Sequence, residues 1–145
     1  MAQDEHRFAL VIPRVFTNSE CAALVARTEA SGYSAAAMSL AGGGSIMRTD
    51  IRDNDRCILT DESLAADLWN RLRGHVPMEL DGRHATRLNE RLRFYRYEGG
   101  QSFAKHVDDS YVAEGGECSL FTVLCYLNDG FEGGRTRLCT FSGTG

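Results

Sequence analysis

The chain has 145 residues, 43% of them apolar and 25% charged, which is a single-domain length with enough apolar side chains for one core. Its formal net charge is −4 with basic and acidic residues interspersed, so no polybasic stripe offers a footprint for nucleic acid, and no run approaches the roughly 18 apolar residues of a membrane span. Fifteen glycines against two prolines point to many tight turns rather than to a disordered chain.

In chain order, RFALVIPRVF (7–16) alternates around Phe8, Leu10 and Ile12 and stops at Pro13, the pattern of a strand. The opening MAQDEHRFALVIPRVF has too short an apolar run, and no small-residue cleavage site, for a signal peptide. Cys21, Cys57, Cys118, Cys125 and Cys139 are odd in number and form no C-x-x-C pair; they read as reduced cytoplasmic thiols, most of them core filler. TNSECAALVARTEASGY predicts a helix. Thr17-x-x-Glu20 fits a capping box, Cys21, Leu24, Val25 and Thr28 share a face, and Gly32 stands where a helix stops.

Leu40–Arg56 is glycine-rich and then charged, a loop with at most a short strand. TDESLAADLWNRLRGHVP predicts a second helix, capped by Thr60 or Asp61, striped by Leu64, Leu68 and Leu72 and closed by Gly74 and Pro77. Strands are expected over 91–98, 102–108, 119–128 and 136–141, joined by glycine-rich turns such as Asn128-Asp129-Gly130 and Gly133-Gly134. The run from Leu120 to Leu127 is apolar at every parity and is expected to be covered on both faces. Helices followed by strands argue for one α+β domain over 1–145, with the helices on one side of a largely antiparallel sheet.

One stretch carries chemistry. In YEGGQSFAKHVDDSY (97–111), His106 and Asp108 are two apart, so on an extended segment both point to one face. An imidazole nitrogen and a carboxylate oxygen are two thirds of the 2-His-1-carboxylate triad that holds Fe(II) with open positions for a cosubstrate and dioxygen. Four histidines and ten aspartates give about 0.3 such pairs by chance, so the pair alone decides nothing. His6, His75 and His84 lie upstream without metal-like spacing; Arg48, Arg52 and Arg56 offer a substrate-groove lining or, as the better reading, a solvated charge run.

The surroundings decide more. The string LRFYRYEGGQSFAKH, then His-x-Asp, then SLFTVLCYLNDGFEGGRTRL, resembles the catalytic domain of the prolyl 4-hydroxylase family of Fe(II)/2-oxoglutarate dioxygenases. The matches come in the family's order: a tyrosine-bearing strand, Tyr-x-Gly-Gly-Gln, His-x-Asp, Tyr-Leu-Asn and Gly-Gly-x-Thr. FALVIPRVFTNSECAALVARTEASGY resembles the family's opening strand and helix, and RTDIRDNDR the segment before its second helix. The resemblance implies a double-stranded β-helix with iron at its mouth, His106 and Asp108 as metal ligands and catalytic residues, and Tyr97 and Tyr126 lining a 2-oxoglutarate pocket. By the same resemblance Phe103 walls that pocket, Thr136 is the family's Gly-Gly-x-Thr threonine, and ascorbate assists the iron. The implied substrate is a prolyl residue of a protein or peptide, or a small molecule; nucleic acid and membrane are not expected partners.

Two departures qualify what the resemblance implies. The family carries a second histidine and then a lysine or arginine beyond the aspartate, and no histidine follows His106 here. Arg135 and Arg137 stand too early in the pattern to be that base. The expectation is a fragment of a longer reading frame, a β-helix cut after its first strands that binds Fe(II) weakly and turns over poorly by itself. The rival reading is a non-catalytic β-sheet module with a vestigial metal site that holds a peptide or subunit along an exposed edge.

Overall fold

The computed structural model describes residues 9–36, 38–39, 45–46, 51–108, 110–113 and 115–139. Phe8, His6, Arg48 and the end of the strand expected over 136–141 lie outside them.

Helix α1 (Asn18–Ser31) starts as its sequence predicts. The Thr17 hydroxyl accepts from the Glu20 backbone N–H at 3.2 Å, and the Glu20 carboxylate accepts from the Thr17 N–H at 2.7 Å, so two otherwise orphaned donors are satisfied reciprocally. At the other end Gly32, with φ of 85°, turns the chain so that its N–H reaches the Thr28 and Glu29 carbonyls. On the expected face Thr28 is buried and Cys21 and Leu24 are half-buried, but Val25 is exposed. Helix α2 (Glu62–Leu72) is capped by Asp61, whose carboxylate accepts from the Leu64 N–H at 2.8 Å, and it buries Ala65, Leu68 and Leu72.

Strands β1 (Ser34–Ala35), β4 (Asp55–Thr60) and β7 (Arg91–Arg96) form an antiparallel sheet in the order β1-β4-β7. Two small hairpins, β2 (Met38–Ser39) with β3 (Ser45–Ile46) and β5 (Glu79–Leu80) with β6 (Arg83–His84), stand apart from it. The central strand β4 falls across the end of the predicted loop and the start of the predicted helix, where no strand was expected beyond a short one.

The register pairs Asp55 with Arg96, Cys57 with Phe94 and Leu59 with Leu92, and these residues share one face by alternation. That face looks toward α1: Arg96 reaches both Asp55 at 2.9 Å and Glu29 of α1 at 3.0 Å, and its guanidinium lies 4.7 Å from the Tyr33 ring centre. Cys57 is buried beneath it, and with Ala36, Ala65, Leu68 and Leu72 makes a small core between helices and sheet. Arg71 binds Glu20 at 2.6 Å and the Val15 carbonyl at 2.8 Å, and Arg27 binds Asp61 at 2.5 Å, so each helix is tied to the other's first turn. The Arg71 pairing, with the capping hydrogen bonds, holds the Glu20 carboxyl at about 2 against an ordinary 4.5.

Several expected strands are absent. Residues 9–12 form no strand, Pro13 and Arg14 make a turn, and Leu10 and Val11 are 52% and 89% exposed. The expected strands over 102–108 and 119–128 reduce to a single bridge, Arg52 with Phe103, and to extended chain without a ladder. The expectation that 120–127 is covered on both faces does not hold either, since Val123, Leu124 and Tyr126 are all more than a third exposed. An apolar run reads as a strand by composition, but the ladder needs a neighbouring backbone, and among the described residues none forms a ladder with 120–127. Of the cysteines only Cys57 is core; Cys125 and Cys139 are exposed and all five are free thiols.

Candidate metal centre and its surroundings

The segment bearing His106 and Asp108 leaves the sheet at the end of β7 and is clamped to residues 51–54. Gln101 closes a turn onto Glu98, its side chain donates to the Asp53 carbonyl at 2.8 Å, and the Asp53 carboxylate accepts from the Ser102 N–H at 2.6 Å. Two main-chain hydrogen bonds follow, Asp53 N–H to the Ser102 carbonyl at 3.3 Å and Ala104 N–H to the Ile51 carbonyl at 2.8 Å. Side chains reinforce this short pairing. The Arg52 guanidinium lies between the rings of Tyr95 and Phe103, 4.3 Å from each centre, and Phe103 stacks on His106 at 3.7 Å and 14°. Tyr95, Arg52, Phe103 and His106 thus form one stack that runs from strand β7 to the candidate ligand.

His106 and Asp108 converge. The Nε2 of His106 stands 3.3 Å from the Oδ1 of Asp108, a separation wider than the ~2.7–2.9 Å of a charge-assisted hydrogen bond. Two ligands at right angles on a first-row ion, with bonds of roughly 2.1 Å, stand about 3 Å apart, so the pair has the bite of two cis ligands. The backs of both groups are held. Nδ1 of His106 lies 2.8 Å from the Ala104 carbonyl, which can only accept; that ring nitrogen therefore donates, and in the neutral ring the lone pair falls to Nε2. Asp108 Oδ2 accepts from the Thr122 hydroxyl at 2.7 Å, leaving Oδ1 to face the histidine. Ala104 and Thr122 are partners that the sequence did not single out. Only the offset of two residues from His106 to Ala104 could have pointed to the first; nothing local to the motif points to Thr122, which is 14 residues away.

Both side chains are open to solvent, His106 at 37% and Asp108 at 54%. Among the described residues no group of three His, Cys, Asp or Glu side chains comes together, so the pair has no third protein ligand there.

The residues expected around a cosubstrate are partly assembled. The Tyr126 hydroxyl lies 2.5 Å from the Thr136 hydroxyl and accepts from the Thr136 N–H at 3.2 Å, so these two lock onto each other across the glycine turn. That turn needs its glycine: Gly134 has φ of 61°, and a Cβ there would stand 2.8 Å from the Phe131 ring. Tyr97 is 47% exposed, yet crowding by neighbouring atoms raises its phenol pKa; Arg52 pulls the other way, and Tyr95, Asp53 and Tyr126 add to the rise. Arg52, expected as part of a solvated charge run, is instead only 6% exposed and belongs to the stack. Phe103, expected as a wall, is the ring on which His106 rests.

No family model, no curated protein and no solved structure matches this chain. Among the described residues no helix is long and apolar enough to cross a membrane.

Proposed function

We propose that the chain is a non-haem Fe(II)/2-oxoglutarate-dependent dioxygenase domain, similar to prolyl 4-hydroxylases and of double-stranded β-helix type. The observation that carries this reading is the 3.3 Å approach of an imidazole nitrogen and a carboxylate oxygen, each held from behind by a partner of its own. The donor set, one imidazole and one carboxylate, suits a ferrous ion. His106 and Asp108 would hold the metal, and the Ala104 carbonyl and Thr122 hydroxyl would keep both ligands aimed at it. Such an ion supplies oxidative decarboxylation of 2-oxoglutarate to succinate and CO2 and hydroxylation of a C–H bond, with ascorbate as the reductant that maintains it. Tyr97, Tyr126 and Thr136 contribute hydroxyl donors for a carboxylate and rings that exclude water. The substrate is a prolyl residue in a peptide, or a small molecule.

The test is 2-oxoglutarate-dependent succinate release with Fe(II) and ascorbate against proline-containing peptides. The account expects release that His106→Ala and Asp108→Ala abolish; release unchanged in both variants would refute it. A second reading, a peptide-binding β module with a vestigial metal site, is favoured by the absence of a third ligand among the described residues. It predicts peptide binding without succinate.

A further inference from the structure

The arginines among the described residues fall into two groups. Arg27, Arg71, Arg87 and Arg96 each lie within 3.0 Å of a carboxylate. Arg14, Arg52, Arg56, Arg73, Arg83, Arg91, Arg93, Arg135 and Arg137 pair with no carboxylate among the described residues, although the chain is acidic overall.

Four of the unpaired arginines, Arg52, Arg56, Arg91 and Arg93, come together. The register sets Arg56 opposite Tyr95, Ile58 opposite Arg93 and Thr60 opposite Arg91, so Arg56, Arg91 and Arg93 share the sheet face turned away from α1. Arg52 joins them by lying on the Tyr95 ring. Burial pulls the Arg56 pKa below its ordinary value, and Arg52, Arg93 and Arg91 push it the same way against an opposing pull from Tyr95, so the four charges are near enough to repel one another. Arg52 is 6% exposed and its Nη2 is buried without a hydrogen-bond partner.

Charges on an edge strand commonly serve to block pairing with other chains. That role explains Arg91 and Arg93 but gives no reason for like charges to continue onto β4, nor for a fourth, Arg52, whose Nε donates to Asn54 Oδ1 at 2.8 Å, to be buried on the same face with no carboxylate and its Nη2 unsatisfied. An anionic partner accounts for all four. From Arg91 to the level of Tyr95 and Arg56 the face runs roughly 13 Å along the strand, longer than a five-carbon dicarboxylate can bridge. β7 also pairs with β4 on one side only, leaving its outer edge open among the described residues.

We propose that the face formed by Arg52, Arg56, Arg91 and Arg93 binds an extended acidic peptide whose alternate carboxylates meet these guanidiniums while its backbone adds along the open edge of β7. The binding stands on the sheet face alone; that the peptide is the substrate rests on the dioxygenase reading, since the same face leads through Arg52 and Phe103 to His106.

Fluorescence anisotropy of a labelled peptide alternating Glu and Thr, titrated with the metal-free full chain, tests this. The expected result is binding that weakens steeply with salt, falls about three- to ten-fold in each of Arg91→Gln and Arg93→Gln, and disappears in Arg91→Glu/Arg93→Glu. Arg87→Gln, on a paired arginine, leaves it unchanged. Circular dichroism of the same samples, showing the helices intact, attributes the loss to the face. Equal binding by the charge-reversed chain would overturn the proposal, as would tighter binding of an oligouridylate that depends on the same arginines, or full displacement of the peptide by 2-oxoglutarate. Because no metal is present, failure here is separate from failure of succinate release: Asp108→Ala, which ends the latter and touches none of the four arginines, leaves peptide binding intact.

Discussion

Residues 9–96 and residues 97–139 follow different rules in the same chain. The first region is held by long-range closure: two capped helices, a three-stranded sheet and ion pairs that join one helix start to the other. The second has comparable apolar content but is held by clips, such as the Tyr111–Ser119 hairpin, the bond of Arg87 to Glu117 at 2.6 Å and the Tyr126–Thr136 lock. The difference teaches that a strand-like sequence specifies a side-chain pattern, whereas a strand requires a partner for its backbone.

The contrast is open to direct attack. The largest effect belongs to the core of the first region: Leu68→Ala, at a position 7% exposed, is expected to cost about 2–5 kcal/mol in urea unfolding. The equivalent truncation in the second region, Leu124→Ala at 58% exposure, is expected to stay within about 0.5 kcal/mol. Equal losses would mean that 119–139 is packed after all. Next in size is the connection between regions. Arg52→Ala removes the layer between Tyr95 and Phe103, and Thr122→Val removes the donor to Asp108. Each is expected to weaken Co(II) binding roughly ten-fold, read by absorption titration, with helix content unchanged.

How much of this was legible beforehand varies with range. The capping box of Thr17 and Glu20, the stop at Gly32 and the leucine stripe of α2 depend on neighbours within a turn or two, and they stand where the sequence sets them. Strand β7 was legible as well, because Arg91, Leu92, Arg93 and Phe94 alternate between charged and apolar side chains. Its partner β4 was not: DRCILT has a charged start and lies against a helix cap, so its local signals point elsewhere, and only the pairing with 91–96 makes it a strand. At the candidate site the His-x-Asp pair was visible by spacing, while Thr122 and the Arg52 stack depend on contacts across 14 residues and more.

A smaller effect is expected from acid. Glu20 has its pKa depressed from 4.5 to about 2 by Arg71 and the capping hydrogen bonds, so its contribution is complete above pH 4.5 and is lost as pH falls through 2. Helix ellipticity followed from pH 5 to pH 2 should decline in that window, and Glu20→Gln should flatten the decline. An unchanged profile in the variant would assign the loss to other carboxylates. A small change is also expected for Arg87→Gln, which breaks two exposed pairs and should cost no more than about 1 kcal/mol.

The central claim is that His106 and Asp108 act as one metal-binding pair, and Co(II) titration of the full chain measures it most directly. The account predicts a single site whose affinity falls at least ten-fold in His106→Ala and again in Asp108→Ala, while His84→Ala, at an exposed hairpin position, changes nothing. Undiminished Co(II) binding in the His106 and Asp108 variants, or a site lost in His84→Ala instead, would contradict it.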